Sequence, residues 1–146
     1  MSEYTILKQR HQQEVNDFPF IFGFSSQQFE EGMAKCGLTP KDTDKIYKFG
    51  NTGGFYLRTD APWLKEMFDR HEKEKQEAIS SDTKGSGYIY QMFLYELANH
   101  EYGYTGDVTD TLDALGLTAE EVAENKPLSY GLNKAIKEIR KRESKK

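Results

Sequence analysis

The chain has 146 residues, a length that fits one domain around one core. Its content of 30% charged and 36% hydrophobic residues is polar for a globular protein, but 13% aromatic residues supply buried area that a disordered chain lacks. A net charge of −4 argues against sequence-independent nucleic-acid binding, the one cysteine, Cys36, excludes a disulfide framework or a cysteine zinc site, and no apolar run approaches the roughly 18 residues of a membrane helix.

The polar start MSEYTILKQRHQQE is no signal peptide, so a cytoplasmic location is expected. Residues 3–17 read as a helix, with Tyr4, Leu7, His11, Val15 and Phe18 on one face and Pro19 ending it. The aromatic run FPFIFGF, 18–24, reads as a buried extended segment. Ser25-Ser26-Gln27-Gln28 matches a capping box for a helix to about Cys36, and Gly37 stops it. Thr39 and Pro40 are expected to restart a short helix. Two β-prone runs, 45–49 and 54–58, flank Gly50-Asn51-Thr52-Gly53-Gly54 and predict a hairpin. Asp60 and Pro62 open a long helix over 61–80, whose inner face holds Leu64, Met67, Phe68, His71, Ala78 and Ile79. A loop over 80–87 leads to a helix from Tyr88 to about His100 that is apolar nearly all round and so runs through the core. Asp107 caps a helix to about Leu115, Thr118-Ala119-Glu120-Glu121 is a second capping box, and a last helix over about 128–142 carries the stripe Leu128, Leu132, Ala135, Ile136 and Ile139.

The stretch YIYQMFLYELANHEYGYTGD, 88–107, is the densest in chemistry. It gathers Tyr88, Tyr90, Phe93, Tyr95, Tyr102 and Tyr104. From 85 to 125 the chain carries Glu96, Glu101, Asp107, Asp110, Asp113, Glu120, Glu121 and Glu124 with no lysine or arginine. Tyrosine offers large contact area at low entropic cost, and carboxylates around it steer a basic partner. Tyr102, Tyr104, Asp107, Asp110, Asp113, Glu120, Glu121 and Glu124 are therefore the candidate partner-binding residues. The opposing reading packs the tyrosines in the core and leaves the acids on a solvated face.

Other constellations are weaker. His11, His71 and His100 all fall on apolar helix faces, and Glu96 with His100 at i, i+4 could hold a metal or work as acid and base, with His71 completing the set. No HExxH or comparable spacing supports this, so neither a catalytic residue nor a bound metal or other cofactor is expected. The loop 50–54 lacks the Gly-Lys-Ser/Thr of a phosphate loop and reads as a turn. Gly-Leu-Thr recurs at 37–39 and 116–118, an echo of a helix–turn–helix, but the segment after the second is acidic, which is wrong for reading DNA. Residues 134–146 carry a local charge of +5, read as cations favoured at a helix C-terminus or as a basic tail for a polyanion.

The words FEEGMAKCGLTPKDTDKIYKFGNTGGFYLRTD, MFDRHEKEKQEAI and YQMFLYELANHEYGYTGDVTDTLDALGLT resemble, over nearly the whole chain, a family of small proteins of unknown function found in Firmicutes genomes, their phages and other mobile elements. The resemblance carries no active-site map. What it implies is context: proteins of that kind often bind a host protein, and some block defence systems such as CRISPR nucleases.

The expectation is thus a mostly helical α+β single domain, 1–146, with a small β-hairpin at about 45–58, a central buried helix at about 88–100 and a basic C-terminal tail at 140–146. Its expected function is non-catalytic: a phage or mobile-element type protein that occludes a basic surface of a host protein, in the extreme an anti-CRISPR-like inhibitor of a defence nuclease. A small metal-dependent enzyme using His71, Glu96 and His100, and a nucleic-acid-binding regulator, are the alternatives. Direct nucleic-acid binding and membrane association are not expected.

Overall fold

A computed structural model describes residues 2–145 of the chain. The fold is α+β and mostly helical: α1 (Glu3–Asp17), β1 (Ile21–Phe22), α2 (Ser26–Lys35), β2 (Ile46–Phe49), β3 (Gly54–Leu57), α3 (Ala61–Ser81), α4 (Tyr88–Asn99), α5 (Tyr102–Thr105), α6 (Thr109–Leu115), α7 (Ala119–Glu124) and α8 (Lys126–Ser144). Short 3₁₀ turns at Thr43–Lys45 and Arg58–Asp60 precede β2 and α3. Among the described residues no helix is long and apolar enough to cross a membrane. The chain forms two compact units, one of His11–Glu72 and one built from the chain up to Arg10 and from Lys73 onward, so the division falls within α1 and α3.

In the His11–Glu72 unit the three strands pair antiparallel in the order β1-β3-β2, with Ile21 and Lys48 both opposite Phe55 and Ile46 opposite Leu57. Alternation along the strands separates two apolar clusters. Ile21, Ile46, Phe55 and Leu57 pack with Met33, Phe29 and Cys36, while Phe20, Phe49 and Tyr56 pack with Phe18, Leu64 and Met67. The hairpin stands where its glycine-rich turn predicts. Of the run 18–24 only Ile21–Phe22 forms a strand, and the run is not wholly buried: Phe22 and Phe24 are exposed, because β1 is a two-residue edge strand that covers only alternate side chains. The short helix expected after Thr39 is a turn instead. The Asp42 carboxylate accepts from the Thr39 backbone N–H at 2.8 Å and its hydroxyl at 3.1 Å, a side-chain bond that competes with helical pairing.

In the other unit the core is a helix pair. α4 buries Tyr88, Ile89, Met92, Phe93, Glu96 and Leu97, and α8 meets it with Leu128, Gly131, Ala135 and Ile139. A side chain at Gly131 would stand 2.5 Å from Ile89 Cγ2 and 2.7 Å from the Gly85 carbonyl oxygen, so glycine is what lets the two backbones approach. Gly85 itself has φ +81 and lies against the Pro127 carbonyl, where no Cβ fits. The start of α4 is satisfied by Asp82, whose carboxylate accepts from the N–H groups of Gly85 and Gly87 at 3.0 Å and of Ile89 at 2.9 Å. α8 begins at Lys126, earlier than the apolar stripe implies, because the Asn125 side chain caps it at Leu128 N. It also runs on to Ser144, so residues 140–144 of the expected tail are helical; Lys146 lies outside the described residues.

Phe93 is fully buried at the centre of this core. Phe93→Ala should cost about 3–5 kcal/mol in a thermal or urea melt. An unchanged midpoint would show that α4 is not the helix around which this unit packs.

Candidate protein-interaction surface

After α4 the chain turns through Glu101, which holds φ +58, a conformation that costs a non-glycine residue energy. Three short helices follow, each fastened by one or two inward side chains: Tyr102 from α5, Thr111 and Leu112 from α6, Val122 from α7. The turns between them are closed by polar side chains. Asp107 accepts from Thr109 N at 2.8 Å and Thr109 Oγ1 at 2.7 Å, which holds its carboxyl below the usual range. Thr118 Oγ1 accepts from Glu121 N at 3.1 Å, as its capping box predicts.

With these anchors turned inward, Asp107, Asp110, Asp113, Glu120, Glu121 and Glu124 are all exposed. Glu101, outside the candidate set, is exposed with them; its place in the acidic run without lysine or arginine is the sequence signal for it. Glu96 does not join this surface, being only 3% exposed. The tyrosines divide. Tyr104 is 91% exposed, but Tyr102 is 6% exposed and belongs to the core, so its assignment to partner binding is corrected. Residues two apart on a helix point to different sides, so only one of this pair could face outward. Tyr88 is buried and its phenol is pushed up to about 12 by desolvation, whereas Tyr95 stays partly exposed with Lys8 Nζ 5.2 Å from its ring centroid.

Glu96 is the one acid of this region held inside. Its Oε1 accepts from Tyr4 Oη at 3.0 Å and Lys8 Nζ at 2.9 Å, and its Oε2 lies 3.5 Å from His100 Nε2. Burial, and then the Glu96 charge beside it, push the Tyr4 phenol well above its ordinary value. Thr111 Oγ1 donates to the Glu96 carbonyl oxygen at 3.4 Å, linking α6 to α4. A carboxylate in this position is sustained only by such partners. His100 is half-buried rather than enclosed.

His71 sits in the His11–Glu72 unit, stacked on His11 with ring centroids 3.8 Å apart and planes 16° from parallel. Both rings are buried. Beside them Glu14 is clamped by Arg70, with Nη1 to Oε1 at 3.0 Å, and lies 3.3 Å from His71 Nε2, out of line for a hydrogen bond from that ring. The Arg70 hydrogen bonds lead in lowering the Glu14 carboxyl to about 2. Among the described residues no three His, Cys, Asp or Glu side chains gather in a way that could hold a metal ion. The set His71, Glu96 and His100 is therefore not assembled as a metal site. The loop 50–54 is the hairpin turn, closed by Thr52, whose hydroxyl donates to the Phe49 carbonyl at 2.6 Å and accepts from Gly54 N at 3.1 Å. The Gly-Leu-Thr echo is not a structural repeat: 116–118 joins α6 to α7, while 37–39 leads into a turn and a 3₁₀ segment.

A sequence model of a family described as of unknown function matches residues 3–138. No curated protein and no solved structure matches the chain.

Two outcomes follow from the buried and clamped carboxylates. Glu96→Ala leaves the buried Tyr4 hydroxyl without its acceptor, while the partly exposed Lys8 turns to water, and should lower stability by about 1–3 kcal/mol, read by denaturant melt. Glu14 has a depressed folded-state pKa, so its contribution is present above its ordinary value of 4.5 and is lost as pH falls toward about 2. Arg70→Gln should move the Glu14 carboxyl titration, followed by NMR, back toward the ordinary value and reduce the acid sensitivity of the His11–Glu72 unit.

Proposed function

Because the chain belongs to the DUF7659 family, whose function is unknown, we propose from its own surface that it is a non-catalytic binding protein whose α5–α7 face docks on a basic surface of a host protein. The observation that carries this reading is the segregation of seven exposed acids and one nearly fully exposed tyrosine onto a segment with no lysine or arginine, fastened from beneath by buried anchors. Like charges on neighbouring turns, such as Asp110 with Asp113 and Glu120 or Glu121 with Glu124, cost some stability, and a binding role accounts for keeping them. Tyr104, exposed between Glu101 and Asp107 in the chain, supplies aromatic contact area of the kind that carries binding energy once desolvated. A partner that fits is a cationic groove of the kind that holds nucleic-acid phosphates, which carboxylates can occupy in their place. The resemblance to proteins of phages and mobile elements supports a host defence nuclease as such a partner, and hence occlusion as the mode of action.

The test is capture of partners on the immobilised protein, run in parallel with the variant carrying Asp110→Lys, Asp113→Lys and Glu121→Lys. A partner held by the first and released by the second should also associate more slowly as salt rises, since long-range steering is screened over about 10 Å at 0.1 M. Tyr104→Ala should weaken the complex by at least about 2 kcal/mol. Full binding by the triple variant, or an association rate indifferent to salt, would remove this face from the mechanism.

A further inference from the structure

α8 presents a second charged face, independent of the acidic one. Its 19 residues span about 28 Å. Steps of three and four residues place Lys126, Tyr130, Lys134, Lys137, Lys141 and Lys145, the C-cap, on one side, with Arg140 beside Lys137. All seven are exposed. Glu138, four residues after Lys134 and three before Lys141, borders that side but is drawn to Arg142 at 3.2 Å, and Glu143 lies against Gly103. None of the six cations forms an ion pair among the described residues, and Lys134 alone has a marked partner, the Tyr90 ring, with Nζ 4.4 Å from its centroid, which leaves its charge intact. The net charge of −4 conceals this row, and reading the end of the chain as a tail conceals its length.

We infer that the outer face of α8 docks on the phosphate backbone of double-stranded DNA. A straight, rigid row of unpaired cations matches a rigid row of anions, and each phosphate neutralised releases counterions. Five of the six cations are lysines, compact point charges suited to phosphates and poor at reading bases, so the contact is sequence-independent. A membrane fits less well, because the apolar side of α8 that would enter a lipid interface is already spent on α4. Single strands fit less well, because they are held on stacking aromatics and this face offers only Tyr130.

The experiment is fluorescence anisotropy of the full chain with a labelled random-sequence duplex of about 20 base pairs, at several salt concentrations. The expected logarithmic salt slope is about −5 for six phosphate contacts, falling to about −3 in the variant Lys134→Gln, Lys137→Gln, Lys141→Gln, with at least about tenfold weaker binding at low salt. The matched control Lys35→Gln, Lys41→Gln, Lys48→Gln should bind as the parent does, and circular dichroism melts should show all three proteins folded. Three results would each overturn the inference: no binding at low salt, equal losses in the two triple variants, or stronger binding to single-stranded DNA or to phosphatidylserine-containing vesicles than to the duplex.

Discussion

The burial of α4 is the constraint from which the larger unit follows. A helix that turns Tyr88, Ile89, Met92, Phe93 and Leu97 inward has too wide an apolar surface for one neighbour to cover. α8 takes the closest side, and Gly131 brings it near enough for backbone to meet backbone. The start of α1 covers a further side with Tyr4 and Leu7, and α5, α6 and α7 close the rest with single anchors. Their shortness has a mechanical reason: each needs to deliver only one or two side chains before the chain turns again.

Glu96 shows how the same core sets the electrostatics of the surface. Placed among apolar neighbours, it needs a cation and donors, and it draws Lys8 and Tyr4 of α1 onto α4. The other acids of the region have no such partners inside and stay in water. Burial thus sorts the carboxylates into one that fixes a helix pair and seven that define an outer face. The His11–Glu72 unit repeats the logic at smaller scale, with Arg70 holding Glu14 beside two stacked imidazoles.

Much of this was readable from residue spacing. α1 and α8 carry 3.6-residue periods, α4 is apolar nearly all round, and the hairpin carries a glycine-rich turn between β-prone runs, so their existence needed no tertiary information. Misreadings arose where one side chain or one neighbour decides. Asp42 reaching back to Thr39 replaces a helix with a turn, which no periodicity records. α5 has four residues and rests on the strained Glu101, too short to show a period at all. Phe22 and Phe24 look like core until the strand proves to be an edge two residues long. In the candidate site the acids behaved as charge alone predicts. Tyr102 did not, because the choice between it and Tyr104 depends on which way α5 rolls against the core. The cations of α8 stand in the sequence as a local charge of +5 over 134–146, which reads as a helix end or a tail; the net charge of −4 is an average that discards position.

That average hides a physical property of the larger unit. Residues 101–124 carry seven exposed acids and no lysine or arginine, while one side of α8 carries six exposed cations, so charges of the two signs are segregated within the unit although the net charge of the chain is small. A molecule of this kind feels a torque before it feels a contact. Within about a Debye length of any charged body, some 8–10 Å at physiological salt, rotation toward one orientation precedes touch, and the fraction of collisions that arrive correctly aligned exceeds what chance orientation would allow.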